Sequence, residues 1–388
     1  MDKNKFDEKS PGKLIEIKAH TNRDWSFIPD PLPKNINFSE NIWPLLVSAH
    51  TELARLDGLG RHMPNYELLL KPLQQREALR SSSLEGTYAT PEQLLLYEID
   101  PKEPKSPRDP ANSWKEVFNY SNALQLGQKL LDEIPFSLRF FRELHNELLK
   151  GVRGYQRDPG NFRRSQVHIG SDRRFVPPPP LETIACLEDL EKYIHEENEI
   201  DPLIFCFMVH YQFEAIHPFL DGNGRVGRLL LSLMIFIFCS LKSPWLYLSA
   251  FFDKYKDEYI KYLFNVSSKN DWESWLTFCL NATIHEARDA ITRFDKLVAL
   301  KENYQNRLSS SGGNIRLYKI IDMIFNTPIV TIPELCRKNN VSYPTANSDI
   351  KLLIELNLLT KFHQNSRPKI FFAGEVMDLA YRDLAEND

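Results

Sequence analysis

Apolar residues recur at Ile42, Leu45, Leu46, Ala49, Leu53 and Leu56 in NIWPLLVSAHTELARLDGLG, a three-to-four spacing that predicts a helix closed by Gly58 and Gly60. ELLLKPLQQREALRSSSLEG continues the helical pattern, broken or started at Pro72 and stopped near Gly86, and EIDPKEPKSPRDPANSW follows as a Pro-rich connector. From Ser113 to about Ala299 the periodicity is again mainly helical. DPLIFCFMVHYQFEAI opens with an Asp N-cap and Pro at the first helical position. Leu229 to Leu241 is the longest apolar run, too short to span a bilayer, so it predicts a buried core helix. RRSQVHIGSDRRFVPPPP instead alternates like a short hairpin. Residues 1–35 are polar and Pro-rich and read as an arm over the surface, and SSSGG at 309–313 reads as a hinge into a small C-terminal unit.

Composition changes this picture little. The 388 residues are 42% hydrophobic and 26% charged, ordinary for a globular chain of two or three domains. A net charge of −4 announces neither a nucleic acid nor a membrane partner. Five scattered cysteines without a C-x-x-C pair, and a charged start without an apolar signal, predict buried free thiols and a cytoplasmic setting.

The chemistry concentrates in HPFLDGNGRVGR, His217 to Arg228. Gly222, Gly224 and Gly227 spell G-x-G-x-x-G, yet a dinucleotide site needs a preceding strand and an acid about twenty residues on. The preceding segment is helical, and no Asp or Glu occurs between Asp221 and Asp253. A P-loop motif is absent as well. What remains is a loop between two helices. Its glycines permit close backbone approach, and the start of the second helix offers N–H groups and a positive dipole end to an anion. Arg225 and Arg228 sit in that first turn, where cations oppose the dipole unless an anion lies between them. Asp221 is placed to carry Mg²⁺, which takes one or two carboxylates plus phosphates. His217 faces the same loop with a side chain suited to a general base, and Phe219 points away as a core anchor. His210, within an apolar helix, reads as a core histidine.

The twelve residues resemble the Fic signature H-x-F-x-[DE]-G-N-G-R-x-x-R at every specified position. Members of that family usually transfer AMP from ATP to a hydroxyl of a target protein. The resemblance implies that His217 deprotonates the hydroxyl and Asp221 holds Mg²⁺. It implies that Gly222, Asn223, Gly224 and Gly227 shape a phosphate cradle and that Arg225 and Arg228 clamp the outer phosphates. The related Doc branch, which phosphorylates, has Lys where this chain has Gly224, so nucleotidyl transfer is the expectation. SSSLEG matches the family's inhibitory motif [ST]-x-x-x-E-[GN] through Ser81, Glu85 and Gly86, which implies that Glu85 pairs with Arg228 in place of the γ-phosphate. QVHIGSDRRFVPPPP resembles the family's flap, with Ile169, Gly170, Ser171 and Asp172 where relatives contact nucleotide, and Tyr259 matches a nucleotide-binding tyrosine.

Residues 314–373 resemble a winged helix-turn-helix. Its second helix starts at Thr331 or Pro333. Its third is capped by Ser342 and carries Thr345, Asn347, Ser348 and Lys351 outward, and LLTKFHQNSRPKIFF forms the wing. This stretch holds eight Lys or Arg and four Asp or Glu, a net of +4 that DNA contact would need, although such units also dock proteins. The expected organisation is an arm at 1–24, a helical segment with the inhibitory helix at 25–114, a Fic core at 115–300, a linker at 301–313 and the winged unit at 314–388. The expected fold is mainly α with a small β-hairpin flap. The expected function is self-inhibited adenylyl transfer with ATP, Mg²⁺ and an unknown target protein, the chain itself included; a homodimer is left open and no membrane is involved. Removal of AMP, and a nucleotide-sensing DNA-binding regulator, are the rival readings.

Overall fold

A computed structural model describes the chain except residues 20–21, 63–66, 153–157, 171–173, 363–368 and 385–388. The architecture is mainly helical, with small antiparallel sheets. Helices α7 (Pro202–Ile216) and α8 (Asn223–Phe238) form an antiparallel pair at the centre, buried along nearly their whole length. Leu229 to Ile235, apolar but for Ser232, are all buried, as expected of a helix apolar on every side. Around it pack α2 (Glu67–Leu84), α4 (Ala111–Leu130), α5 (Leu138–Leu148), α10 (Lys256–Lys269) and the long α11 (Trp272–Ser310).

Helix α1 (Ile42–His62) runs straight through Gly58 and Gly60, which were expected to end it. A side chain on Gly60 would collide with the Trp245 ring, so this glycine makes room for a buried indole instead of stopping a helix. Pro72 likewise lies within α2, where it forgoes one hydrogen bond without ending the helix. The Glu77 carboxylate, buried in the middle of α2, ties the helix down. It accepts from Tyr120 Oη at 2.8 Å and from the Ser249 backbone N–H at 3.2 Å.

The expected surface arm is a β-hairpin, β1 (Gly12–Ala19) against β2 (Asn22–Pro29). Its pull comes from long-range pairing: Phe27 N–H donates to Val176 at 2.9 Å and the Ser26 hydroxyl to Pro177 at 2.7 Å, which fastens it to the foot of the flap segment. In that segment Ile169 and Phe175 form one antiparallel bridge. Ser171 and Asp172 lie outside the described residues.

No break occurs near residue 300. Helix α11 is 39 residues long, and residues 301–310, expected as linker, are its last turns. Gly312, with φ +76°, reverses the chain into the C-terminal unit. There α12 (Ile315–Asn326), α13 (Ile332–Asn339, N-cap Thr331) and α14 (Tyr343–Glu355, N-cap Ser342) accompany a sheet of order β3 (Ile329–Thr331), β5 (Ile370–Phe372), β4 (Thr360–Lys361). This is the element order of a winged helix. Helix α15 (Gly374–Tyr381) then returns to the core and packs on α2 and α11. Tyr381 donates to Gln75, Asp383 accepts from Arg80 at 2.6 Å, and Arg293 of α11 donates to the Leu379 carbonyl at 2.6 Å.

Candidate active site

The α7–α8 connection is built by its own residues. Asp201 caps α7 through the N–H groups of Leu203 and Ile204. His217 ends that helix in the left-handed region, φ +50°, which swings the chain outward. Asn223 then staples the loop: its Oδ1 accepts from Phe219 N–H at 2.7 Å and its Nδ2 donates to Phe219 O at 2.9 Å. Phe219 is fully buried and stacks on His145 with centroids 3.8 Å apart. Gly160 N–H donates to His145 Nδ1, so Nε2 carries the proton and donates to the Asp221 carbonyl at 3.0 Å. Buried Arg163 braces the other side, donating to the carbonyls of His217 and Pro178. A cation there also suits the carbonyl end of α7.

The loop opens on a cavity of about 480 Å³. Its wall includes Glu85, Ile169, Gly170, Glu214, His217, Gly224, Arg228, Lys256 and Tyr259. Burial, aided by Arg163, pushes the His217 imidazole down to about 4, so near neutrality it is an uncharged base. Arg228 is buried and held by the end of α2: Nε donates to the Ser81 hydroxyl at 2.8 Å, Nη2 to the Ser81 carbonyl at 2.9 Å and to Glu85 Oε1 at 2.8 Å. Burial opposes both charges, but the pairing with Arg228 holds the Glu85 carboxyl below its ordinary value. Gly86, φ +79°, turns the chain immediately after it. A side chain on Gly224 would collide with Glu85 Oε1, so that glycine admits the acid against α8.

Asp221 stands beside the helix start, partly exposed. Its Oδ1 accepts from Gly222 N–H at 2.8 Å and lies 3.9 Å from Arg225 Nη2. Among the described residues no three His, Cys, Asp or Glu cluster as metal ligands. One carboxylate at a helix N-terminus suits a cation whose other ligands come from phosphates and water.

Residues 43–129 match the Fic/DOC family N-terminal model, and residues 135–235 match the Fic/DOC family model. The chain carries a Fic domain. Similar curated proteins include protein adenylyltransferase Fic of Drosophila grimshawi, 33% identical over 126 residues, and that of Drosophila yakuba, 32% identical. Each match covers 31% of this chain and 24% of the relative, so the likeness spans about a quarter of those proteins. A Fic family protein from Desulfovibrio desulfuricans superposes over 87% of this chain and 97% of its own, with TM-score 0.55 and 20% identity. A Fic-1 fragment from C. elegans covers 66% of this chain and 74% of its own, with TM-score 0.54 and 18% identity. These likenesses establish the fold.

Not every expected residue of the Fic loop faces the cavity. Glu85, Ile169, Gly170, Gly224, His217, Arg228 and Tyr259 do. Gly222, Asn223 and Gly227 frame the loop from behind. Arg225, three residues from Arg228, turns instead toward α4, where Nη1 meets Glu116 at 3.2 Å. Tyr259 is buried, and its hydroxyl meets His210 Nε2 at 2.9 Å; His210 Nδ1 faces the Gly227 carbonyl at 3.1 Å, so this histidine is a core brace. The sequence reading missed His145, Arg163, Lys256 and Glu214. Lys256 caps the end of α2 by donating to the Leu84 carbonyl at 2.6 Å. None of the four carries a local signal; each acts through partners distant in sequence or one helical turn away.

Five cysteines are free and none is exposed. Among the described residues no helix is long and apolar enough to cross a membrane.

Proposed function

We propose that the chain is an ATP- and Mg²⁺-dependent protein adenylyltransferase, restrained by Glu85. The observation that carries this reading is an uncharged, half-buried imidazole, His217, sharing one cavity with Arg228, whose Nε and Nη2 are taken up by Ser81 and Glu85 at the end of α2. His217 would accept the proton of a target hydroxyl. The hydroxyl oxygen attacks the α-phosphorus of ATP, the bond to the bridging oxygen breaks, and pyrophosphate leaves. The first-turn N–H groups of α8 receive charge on the phosphate oxygens. Asp221 would hold Mg²⁺, which supplies charge neutralisation on the phosphates. Arg228 takes the outer phosphate once Glu85 leaves it. Protein targets, a hydroxyl of this chain among them, belong to the reading, as does a cytoplasmic setting, which the free thiols support.

Removal of AMP is the second reading, favoured by an acid, Glu85, that borders the same cavity as His217 and could orient water there. Incubating the protein with labelled ATP, Mg²⁺ and a cell lysate tests the first; incubating it with AMP-modified chains tests the second. A protein that neither adds nor removes label, yet binds ATP, is a nucleotide sensor instead.

A further inference from the structure

Glu214 lies one turn before His217 on α7, and the chemistry above gives it no task. Its carboxyl borders the cavity shared by Glu85, Arg228 and Tyr259. Oε1 is shut from solvent and makes no hydrogen bond among the described residues. A side chain on Gly227 would collide with that same oxygen. Gly224 and Gly227 therefore each make room for a carboxylate against one face of α8, Glu85 on the first and Glu214 on the second.

Arg228 spends its hydrogen bonds on Ser81 and Glu85 and makes none to Glu214. Two carboxylates beside one cation in a buried site do not both ionise freely. Burial pushes the Glu214 carboxyl up to about 7, with Arg228 opposing and Glu85 adding to the rise. The titratable groups lining the same cavity are Glu85 after α2, Arg174 near the Ile169–Phe175 bridge, Tyr211 and His217 on α7, Arg228 on α8, and Lys256, Asp257 and Tyr259 on α10. Near neutrality Glu214 thus carries its proton about half of the time, and its enclosed Oε1 has no hydrogen-bond partner among the described residues.

We propose that Glu214 is a further nucleotide-binding residue: as the neutral acid it donates a hydrogen bond to an oxygen of the outer phosphate, beside Arg228, once Glu85 has withdrawn. The inference rests on the adenylyltransferase reading. A carboxylic acid kept neutral by its surroundings can donate where a carboxylate would repel, and the arriving phosphate, itself anionic, favours the protonated form. Linkage fixes the sign. Nucleotide binding raises the affinity of Glu214 for its proton, so nucleotide affinity falls as pH rises through the range in which Glu214 ionises.

The test is ATP affinity in the Glu85→Gly protein at pH 6 and pH 8.5, with Mg²⁺ in excess, for native Glu214 and for Glu214→Gln. Glutamine keeps the shape and a donor at every pH, and it carries any titration that belongs to ATP itself. The expected result is a loss of about tenfold at pH 8.5 for Glu214 relative to Glu214→Gln, about 1.4 kcal/mol. The difference should vanish with AMP, which lacks outer phosphates. Thermal melting confirms that both proteins are folded, and Glu214→Leu, of similar bulk without a donor, should bind ATP weakly at both pH values. Parallel pH profiles with tight ATP binding overturn the role of Glu214 and leave the adenylyltransferase reading intact. Weaker binding by Glu214→Gln than by Glu214 at pH 8.5 also overturns it, because the carboxylate would then act as a charge. Absence of ATP binding in every folded variant overturns both readings.

Discussion

Glu85 Oε1 accepts a 2.8 Å hydrogen bond from Arg228 Nη2, and Ser81, one turn earlier, accepts from Nε through its hydroxyl and from Nη2 through its carbonyl. The end of α2 thus occupies two of the three nitrogens of Arg228.

If that set displaces the outer phosphate, Glu85→Gly raises AMP incorporation by at least about tenfold, about 1.4 kcal/mol of barrier. Arg228→Ala does not mimic it, because that change removes the phosphate clamp together with its occupant. Incorporation and melting temperature are measured for both. A folded Glu85→Gly protein no more active than the parent sinks the restraint.

His217→Ala removes the proposed base and leaves Arg228, Asp221 and the helix start in place. In the Glu85→Gly background it should bind ATP within a few-fold of the parent and lose transfer by at least about a hundredfold. Equilibrium binding and labelled-ATP incorporation separate the two effects. Transfer at the parent rate would rule out the mechanism.

Two buried histidines, His145 and His210, and the half-buried His217 make the protein sensitive to acid. Burial depresses His145 and His217 to about 4 and His210 to about 3. In the unfolded chain each takes a proton near pH 6.5, so the unfolded state binds more protons below that value. Their contribution is complete above about pH 6.5 and is lost progressively as pH falls to about 4, on the order of 2 to 3 kcal/mol for His145 alone. Melting temperatures measured from pH 7.5 to pH 4 should fall over that window, and His145→Gln, which cannot be charged, should flatten the curve. An unchanged slope in that variant contradicts the assignment.

DNA contact through residues 314–373 is a separate expectation. Tyr343, Ser348 and Lys351 of α14 are exposed, which leaves this helix available. Binding of the full chain to duplex DNA should weaken steeply with salt through counterion release. No gel shift at low salt leaves the winged unit as a protein-docking module.

The loop was legible because its chemistry is local: glycines, a helix start, an acid and a histidine fall within twelve residues. The Glu85–Arg228 pairing was legible only through resemblance, since 143 residues separate the partners. The pairing of Arg225 with Glu116 was not legible for the same reason, since Glu116 lies 109 residues earlier. Gly58 and Gly60 looked like a helix end because the Trp245 ring packed on Gly60 cannot be seen from α1 alone. The strands of the hairpin β1–β2 pair with each other, but the contacts that fasten it in place, to Val176 and Pro177, lie some 150 residues on and could not be read from residues 1–35. Glu214 resembled any polar helix residue until its oxygen was found enclosed.

Helix α11 has 39 residues, about 58 Å of continuous rod at ~1.5 Å per residue. It reaches from beneath the catalytic pair to the winged unit, and α15 then carries the chain back to the flank of α2, where Asp383 grips Arg80 one turn before Leu84. The circuit is mechanical. The C-terminal unit therefore grips α2, the helix that leads into Glu85, at two places: through α12, with Lys71 Nζ donating to the Thr327 hydroxyl at 3.1 Å, and through α15 and Asp383. Cutting the chain after Ala373 removes the second grip and leaves the first, together with every residue from His217 to Arg228, in place.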